Sequence, residues 1–445
     1  MNKVALISLG CAKNLVNSEQ MLYLLREAGY DITGDTGGDV ADMDAADAVV
    51  VNTCGFIESA KTEAIETILE LGQAKKEGRI KRIIVAGCLS ERYKEEMFRE
   101  LPEIDALVGV GSYQDIVDAV RTALEGESCS IFGDNSIPDP EINRIITTSG
   151  AWAYLKIAEG CDNRCAYCVI PDIRGRFRSR PMENILSEAR ELVSRGIKEL
   201  IVVAQDTTRY GLDLYGKRTL AELLEKLGRI EGLQWIRLHY LYPDEIDDML
   251  IDVIAKNGKI LKYLDIPIQH INDGILKKMC RRSTGADIRA LFKKLRDRIP
   301  GVVLRTSLIT GLPGEGEEEF RELYEFLKEA KIERAGVFPY SPEEGTPAAA
   351  MEYAAHETAC ARAEEIMALQ SGILESYAQS RIGVVTDVLA EGVDGQYYYG
   401  RSYAESPEID GLVYFTGSSV KMDDFNSVRI VDTLDGEPLG VLLED

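Results

Sequence analysis

From residue 3 to about residue 340 the chain repeats one pattern: a short apolar run, then a stretch with hydrophobic residues at helical spacing. "KVALISLG" precedes "NLVNSEQMLYLLREAGY", and "DAVVVNT" precedes "ESAKTEAIETILELGQAKKEG". "RIIVAG" then leads into "SERYKEEMFREL", and "ALVGVG" into "IVDAVRTALE". Strand-length runs joined by amphipathic helices imply crossover connections, hence a parallel sheet wrapped by helices. Few architectures satisfy that requirement. The first four units, to about residue 146, predict an α/β domain with a flavodoxin-like open parallel sheet.

A turn-rich link, "GDNSIPDPEINR", separates these units from a second series beginning at Trp152. There the strand-like runs are "AYLKIAEG", "ELIVVAQD", "QWIRLHYL", "YLDIPIQH", "VVLRTSLITG" and "AGVFPY". Six units predict a partial (βα)6, TIM-like barrel. Beyond the helical stretch "ETACARAEEIMALQSGILESYAQSRIG" come five short runs, several separated by turn signals such as "DG". They predict a small antiparallel β-barrel of the OB type. The expected domains are residues 1–146, 147–378 and 379–445.

No apolar run approaches bilayer length, so no membrane partner is expected. The amino terminus lacks the length and small-residue cleavage pattern of a signal peptide, and a cytoplasmic location is expected. A net charge of −24 disfavours nucleic acid as a partner and favours a basic protein. Nine cysteines in such a compartment point to metal ligation or catalysis rather than disulfides.

Three of them share a context. Cys11, Cys54 and Cys88 each follow a predicted parallel strand, on the rim where open α/β sheets bind ligands. Simple core thiols would lie within the apolar runs; these lie just past them. Cys161, Cys165 and Cys168 form a second trio, within "GCDNRCAYCVIP", after the first barrel strand. Three thiolates so spaced can clamp one face of an iron–sulfur cube, leaving one iron open to a small molecule. Zinc with His239 or His270 as a fourth ligand is the alternative.

The spacing "CDNRCAYC", with Tyr167 before its last cysteine, resembles the signature of the radical S-adenosylmethionine superfamily. Together with "GCAKN", "NTCGFIESAK", "GCLSERY", "TSLITGLPGE" and "YSPEEGTPA", it resembles the methylthiotransferase family along nearly the whole chain. That resemblance implies two 4Fe–4S clusters, one per trio, and a terminal barrel called TRAM. It implies S-adenosylmethionine in two roles: as methyl donor, and as source of a radical that removes hydrogen from the substrate. An external electron donor is implied as well.

The family divides between tRNA adenosine and an aspartate β-carbon of small-subunit ribosomal protein twelve. "GCAKNLVNSE", "AQDTTRYG" and "GRSYAESPEIDGLVY" resemble the protein-modifying branch, with Asn17 where an acid is more usual. Residues 381–445 carry four basic and thirteen acidic side chains, a net charge of −9, suited to a basic ribosomal protein. The tRNA reading remains the alternative, and a non-enzymatic metalloprotein the third.

Strand-end polar groups Gln205, Asp206, His239, Gln269 and Arg305 are candidates for holding the cofactor or the target aspartate. For S-adenosylmethionine the assigned residues are Tyr167, Gln205, Arg305 and Gly311, the last in the amide-rich "GLPGEGE". Arg305 could alternatively form a buried ion pair. The run "RGRFRSR", Arg174 to Arg180, is expected to be a solvated face or a contact for the cofactor or ribosomal RNA.

Overall fold

Inward-facing residues of alternate parity dictate the first sheet. The computed structural model describes residues 2–33, 43, 45–148 and 150–443. Its first six strands are β1 (Lys3–Ser8), β2 (Asp31–Thr33), β3 (Ala48–Thr53), β4 (Arg82–Gly87), β5 (Ala106–Val108) and β6 (Cys129–Ile131). They pair in parallel in the order β2-β1-β3-β4-β5-β6, the flavodoxin-like arrangement. Val4, Leu6, Val50, Ile84 and Ala86 pack on one face with Met21, Leu22 and Leu25 of helix α1 (Ala12–Glu27). Ala5, Ile7, Val49, Val51, Ile83 and Val85 pack on the other with Ala64, Ile68 and Leu71 of α2 (Glu58–Lys76). Burying such a side chain contributes roughly 1.5–3 kcal/mol, and the two-residue alternation fixes which helix each one meets.

The second sheet contains β7 (Trp152–Lys156), β10 (Glu199–Val203), β11 (Trp235–Leu238), β12 (Ile260–Asp265), β13 (Val303–Thr310) and β14 (Arg334–Pro339). A two-residue antiparallel pair, β8 (Ala158–Glu159) with β9 (Arg178–Ser179), stands apart from it. The order β14-β13-β12-β11-β10-β7 is wholly parallel and does not close: this is a six-stranded partial barrel. Its outer face is apolar, with Leu155, Leu200, Ile236, Leu264 and Leu304 under the helices. Its inner face is unusually polar, with Lys156, Glu199, Arg237, His239 and Asp265 all buried.

The first domain touches both edges of the open barrel. On one side Ala12, Leu15 and Val16 of α1 pack against Trp152, Tyr154, Ile201 and Val203. On the other, Lys61 of α2 and Arg92 of α3 (Cys88–Tyr93) grip Glu343, in the loop after β14, at 3.1 and 2.7 Å.

Strands β15 (Val385–Asp394), β16 (Tyr397–Arg401), β17 (Val413–Thr416), β18 (Phe425–Leu434) and β19 (Glu437–Leu442) close a terminal barrel in the order β15-β16-β17-β19-β18. Its pairs are antiparallel except β17 with β19. The segment from Ser402 to Asp410 leaves this barrel and enters the second one from the side where its strands begin. There Ser406 Oγ meets His239 Nε2 at 2.8 Å, Tyr263 donates to Asp410 at 2.6 Å, and Arg334 donates to Glu405 at 2.9 Å. The terminal domain therefore supplies the floor of the central one. No helix among the described residues is long and apolar enough to cross a membrane.

Candidate active site

The three loops carrying Cys11, Cys54 and Cys88 meet because glycine precedes two of them. Gly10 has φ +94°, and a Cβ on it would come within 2.7 Å of the Cys54 Cβ. Gly87 has φ +98°, and a Cβ there would meet Asn52 Oδ1 at 2.4 Å. Only glycine permits that backbone and that approach. Asn14 fastens the loops from α1, donating to the carbonyls of Leu9 and Thr53, each at 3.0 Å.

All three thiols lie within electrostatic reach of one another. Burial pushes Cys54 up to about 12, and Cys11 and Cys88 push it further the same way. Burial also raises Cys88, with Arg174 opposing. At Cys11 burial acts upward too, but Lys13 and Arg174 together outweigh it and lower the thiol.

The second trio repeats the arrangement. Cys161, Cys165 and Cys168 lie within electrostatic reach of one another, and burial lifts Cys161 to about 12. Tyr242 Oη sits 2.9 Å from Cys165 Sγ, and Arg281 stacks 3.9 Å from the Tyr242 ring while its Nη1 points at the same sulfur from 3.8 Å. Tyr167 packs beside the trio in a small apolar cluster with Ile275, Met279 and Leu312.

One buried arginine joins the trios. The helix Ile170–Arg174 begins two residues after Cys168, and Val169 and Ile173 belong to the same apolar cluster as Cys88. At its end Arg174 Nη2 donates to Cys88 Sγ at 3.3 Å and also to Asn14 Oδ1. Its Nη1 pairs with Glu159 at 2.8 Å. Glu159 takes Lys156 at 3.0 Å and Gln205 at 2.8 Å, and Lys156 donates to Asn17 at 2.6 Å. Asn17 thus serves as a neutral acceptor for Lys156. A cavity of about 380 Å³ lies where all three domains meet, bordered by Gly10, Cys11, Trp152, Arg401 and Glu408.

The residues suit iron–sulfur cubes and do not suit zinc. His239 is engaged with Ser406, and His270 with the Asn272 amide and Glu315, so neither completes a tetrahedral set. Among the described residues no three Cys, His, Asp or Glu side chains converge as a single ion requires. Thiolates on separate corners of a cube need not converge on one atom. Buried cations beside each trio suit a thiolate-rich centre, and coordination would remove the protons that burial alone retains. Near the second trio, Gln205 Oε1 and Asn163 Oδ1 are buried acceptors without partners among the described residues, as a ligand's ammonium group would require.

Several sequence expectations are revised by the geometry. Arg305 faces the barrel interior, but Asp265 holds its fork at 2.9 Å and Asp410 lies at 3.9 Å, so the ion-pair reading describes it. The Gly311 amide donates to Glu315 at 2.8 Å and is not open to a cofactor; a Cβ there would strike Ala359 at 2.5 Å. Asp206 caps the turn at Thr208 and accepts from Asn163. Gln269 holds φ +69° four residues beyond β12, where it bridges to Leu308 of β13. The "RGRFRSR" run is not a solvated face: Arg174 and Arg178 are buried, Arg180 pairs with Glu188, and only Arg176 is largely exposed. Glu405, Asp410 and Glu391, among the acids of the terminal domain, are occupied by Arg334, Arg305 and Arg401. Sequence reading missed Lys13, Asn14, Glu159, Tyr242 and Arg281. For Lys13 and Asn14 the available signal was their place on the first turn after Cys11.

Comparison with known proteins agrees with this geometry. Residues 155–327 match the radical SAM superfamily, residues 3–109 the uncharacterized protein family UPF0004, and residues 382–439 the TRAM domain. A radical S-adenosylmethionine methyltransferase, TsrM from Kitasatospora setae, shares the fold with a TM-score of 0.58 at 15% identity, covering 78% of this chain and 74% of its own. Fold and site define a radical S-adenosylmethionine enzyme with two 4Fe–4S clusters. The chain is 50% identical to ribosomal protein uS12 methylthiotransferase RimO of Desulforamulus reducens, with 100% of both chains covered. It is 47% identical to the protein of that name from Acetivibrio thermocellus, over 100% of this chain and 99% of the other. The chain belongs to the RimO family of methylthiotransferases.

Proposed function

We infer that this protein adds a methylthio group to the β-carbon of an aspartate in ribosomal protein uS12. The observation that carries the reading is Arg174, at the end of the helix that follows Cys168, donating to Cys88 of the other trio, in a chain related along its full length to proteins named for methylthiolation of uS12. When bound, the clusters would supply electron transfer to S-adenosylmethionine at the second trio and a site for the transferred sulfur at the first.

The rest is done by the chain itself. Cys161, Cys165 and Cys168 hold one cluster and Cys11, Cys54 and Cys88 the other. Tyr242 and Arg281 spread the charge on Cys165 by hydrogen bonding, a recognised means of tuning such centres. Gln205 and Asn163 offer acceptors for the cofactor's ammonium group, and Tyr167 an apolar wall. The segment 402–410 fills the barrel floor and excludes water from a space in which a reactive intermediate must not meet it. An external reductant supplies the electron. The acidic excess that remains on the terminal domain once Glu391, Glu405 and Asp410 are paired suits a basic ribosomal protein and opposes tRNA, and uS12 as substrate implies a cytoplasmic enzyme. Contact with ribosomal RNA would fall to exposed cations such as Arg176.

Mass spectrometry of a strain lacking the gene tests this. Loss of the methylthio mass from uS12, with tRNA nucleosides unchanged, is the expected result. Loss from tRNA alone overturns the reading.

A further inference from the structure

Lys13 stands two residues beyond Cys11 on the first turn of α1 and is 7% exposed. Its Nζ lies 3.6 Å from the centre of the Tyr240 ring. Tyr240 follows β11 at the carboxyl edge of the barrel and holds φ +59°, a conformation that non-glycine residues adopt chiefly where the surroundings impose it. The ammonium group therefore sits between the first domain and the barrel interior, next to one cysteine trio.

The buried cations of the barrel interior have acids, whereas Arg281, beside Cys165, has none among the described residues. Arg174 and Lys156 share Glu159, Arg237 has Glu199, Arg305 has Asp265, and Arg334 has Glu405. Among the described residues, Lys13 has no carboxylate within ion-pair distance; Cys11, Tyr240 and Arg174 are the charged or ionisable groups that act on it. Arg174 carries the same sign and adds to the local positive potential. The Cys11 thiolate, which Lys13 shares with Arg174, and the Tyr240 side chain each offset only part of the cost of a desolvated ammonium.

We propose that Lys13 is the specificity residue that binds the carboxylate of the target aspartate. This rests on the aspartate reading given above and goes beyond it by naming the group that recognises the substrate. A lysine ammonium holds a carboxylate as a compact charge with freely turning donors. The carboxyl carbon is bonded directly to the β-carbon, so holding the one fixes the reacting atom beside Cys11. Asparagine or a nucleobase presents no anion there, and a site built around a buried charge rejects a neutral analogue strongly.

The test uses the anaerobically reconstituted full-length enzyme with S-adenosylmethionine and fluorescently labelled uS12, either native or with its target aspartate changed to asparagine. Native enzyme is expected to bind the aspartate form at least tenfold more tightly. Lys13→Met is expected to abolish that preference and Lys13→Arg to retain part of it, with iron content and electron paramagnetic resonance recorded for each. If Lys13→Met does not fold, Lys13→Gln is read by the same criterion. A preference that survives loss of the ammonium overturns the proposal, and a change confined to the cluster spectrum does so too, since Lys13 then serves only to balance thiolate charge. If native enzyme fails to modify uS12 at all, the substrate reading itself is overturned. If it modifies uS12 and Lys13→Met still discriminates, only the role of Lys13 falls.

Discussion

The guanidinium of Arg174 lies 3.3 Å from the sulfur of Cys88, although the two residues belong to different domains. The same side chain holds Glu159, two residues before Cys161. One buried fork thus fixes the position of one cysteine trio against the other. Removing one partner of such a pair leaves a buried charge unmatched and typically costs about 3–5 kcal/mol. Arg174→Met is expected to lower stability by that amount in anaerobic denaturant titration. Arg174→Lys keeps the charge but cannot span both partners, and is expected to recover only part of the loss.

Replacing Cys11, Cys54 or Cys88 by alanine should separate the two halves of the reaction. Iron should fall to about half, as expected when one of two four-iron centres is lost. Formation of deoxyadenosine should continue while methylthiolated uS12 disappears from the mass spectrum. The corresponding changes at Cys161, Cys165 or Cys168 should abolish both.

Glu405 makes the fold sensitive to acid. Burial alone would raise its carboxyl group, but Arg381 and Arg334 more than offset this and hold it at about 2, below its ordinary 4.5. Ser402 donates to it as well, and Glu437 is the nearby acid that opposes the arginines. A folded value below the unfolded one means the stabilisation is complete above about pH 4.5 and is lost as pH falls toward 2. The gap corresponds to about 3 kcal/mol. Glu405→Gln is expected to lose that stability at neutral pH and to show a flatter acid limb, measured by denaturant titration across pH.

Glu343 closes the other side of the domain interface, between Lys61 and Arg92. Its side chain is 2% exposed and theirs 11% and 7%, so Glu343→Ala leaves the Arg92 guanidinium without an acid and Lys61 with Glu58 alone. A loss of about 3–5 kcal/mol is expected. Hydrogen exchange should quicken in residues 341–346 and in α2, while the six barrel strands stay protected.

The strands carrying the cysteines were legible because buried parallel strands such as "AVVVNT" are apolar throughout. Edge strands β2 and β6, three residues each, gave no such signal. The six cysteines were legible because thiols just beyond strand ends are not explained by packing. What periodicity conceals is pairing across distance. Nothing near "RGRFRSR" tells that Arg174 is buried against Cys88, and nothing near "GRSYAESPEIDG" tells that Glu405 and Asp410 lie inside another domain. Charge read from composition therefore overstated the acidic surface of the terminal barrel. Arg305 illustrates the same limit: a buried ion pair was among its readings, and its partner Asp265 was not.

The segment that floors the central barrel has a consequence for synthesis. Arg334 emerges from the ribosome some seventy residues before Glu405 does, and until then its buried position has no acid to match it. The nascent chain can assemble its first sheet early, since domains generally fold in the order they appear. The reaction chamber must wait for residues 402–410, so a product truncated before them would leave the chamber unsealed even though every metal-binding cysteine had already been made.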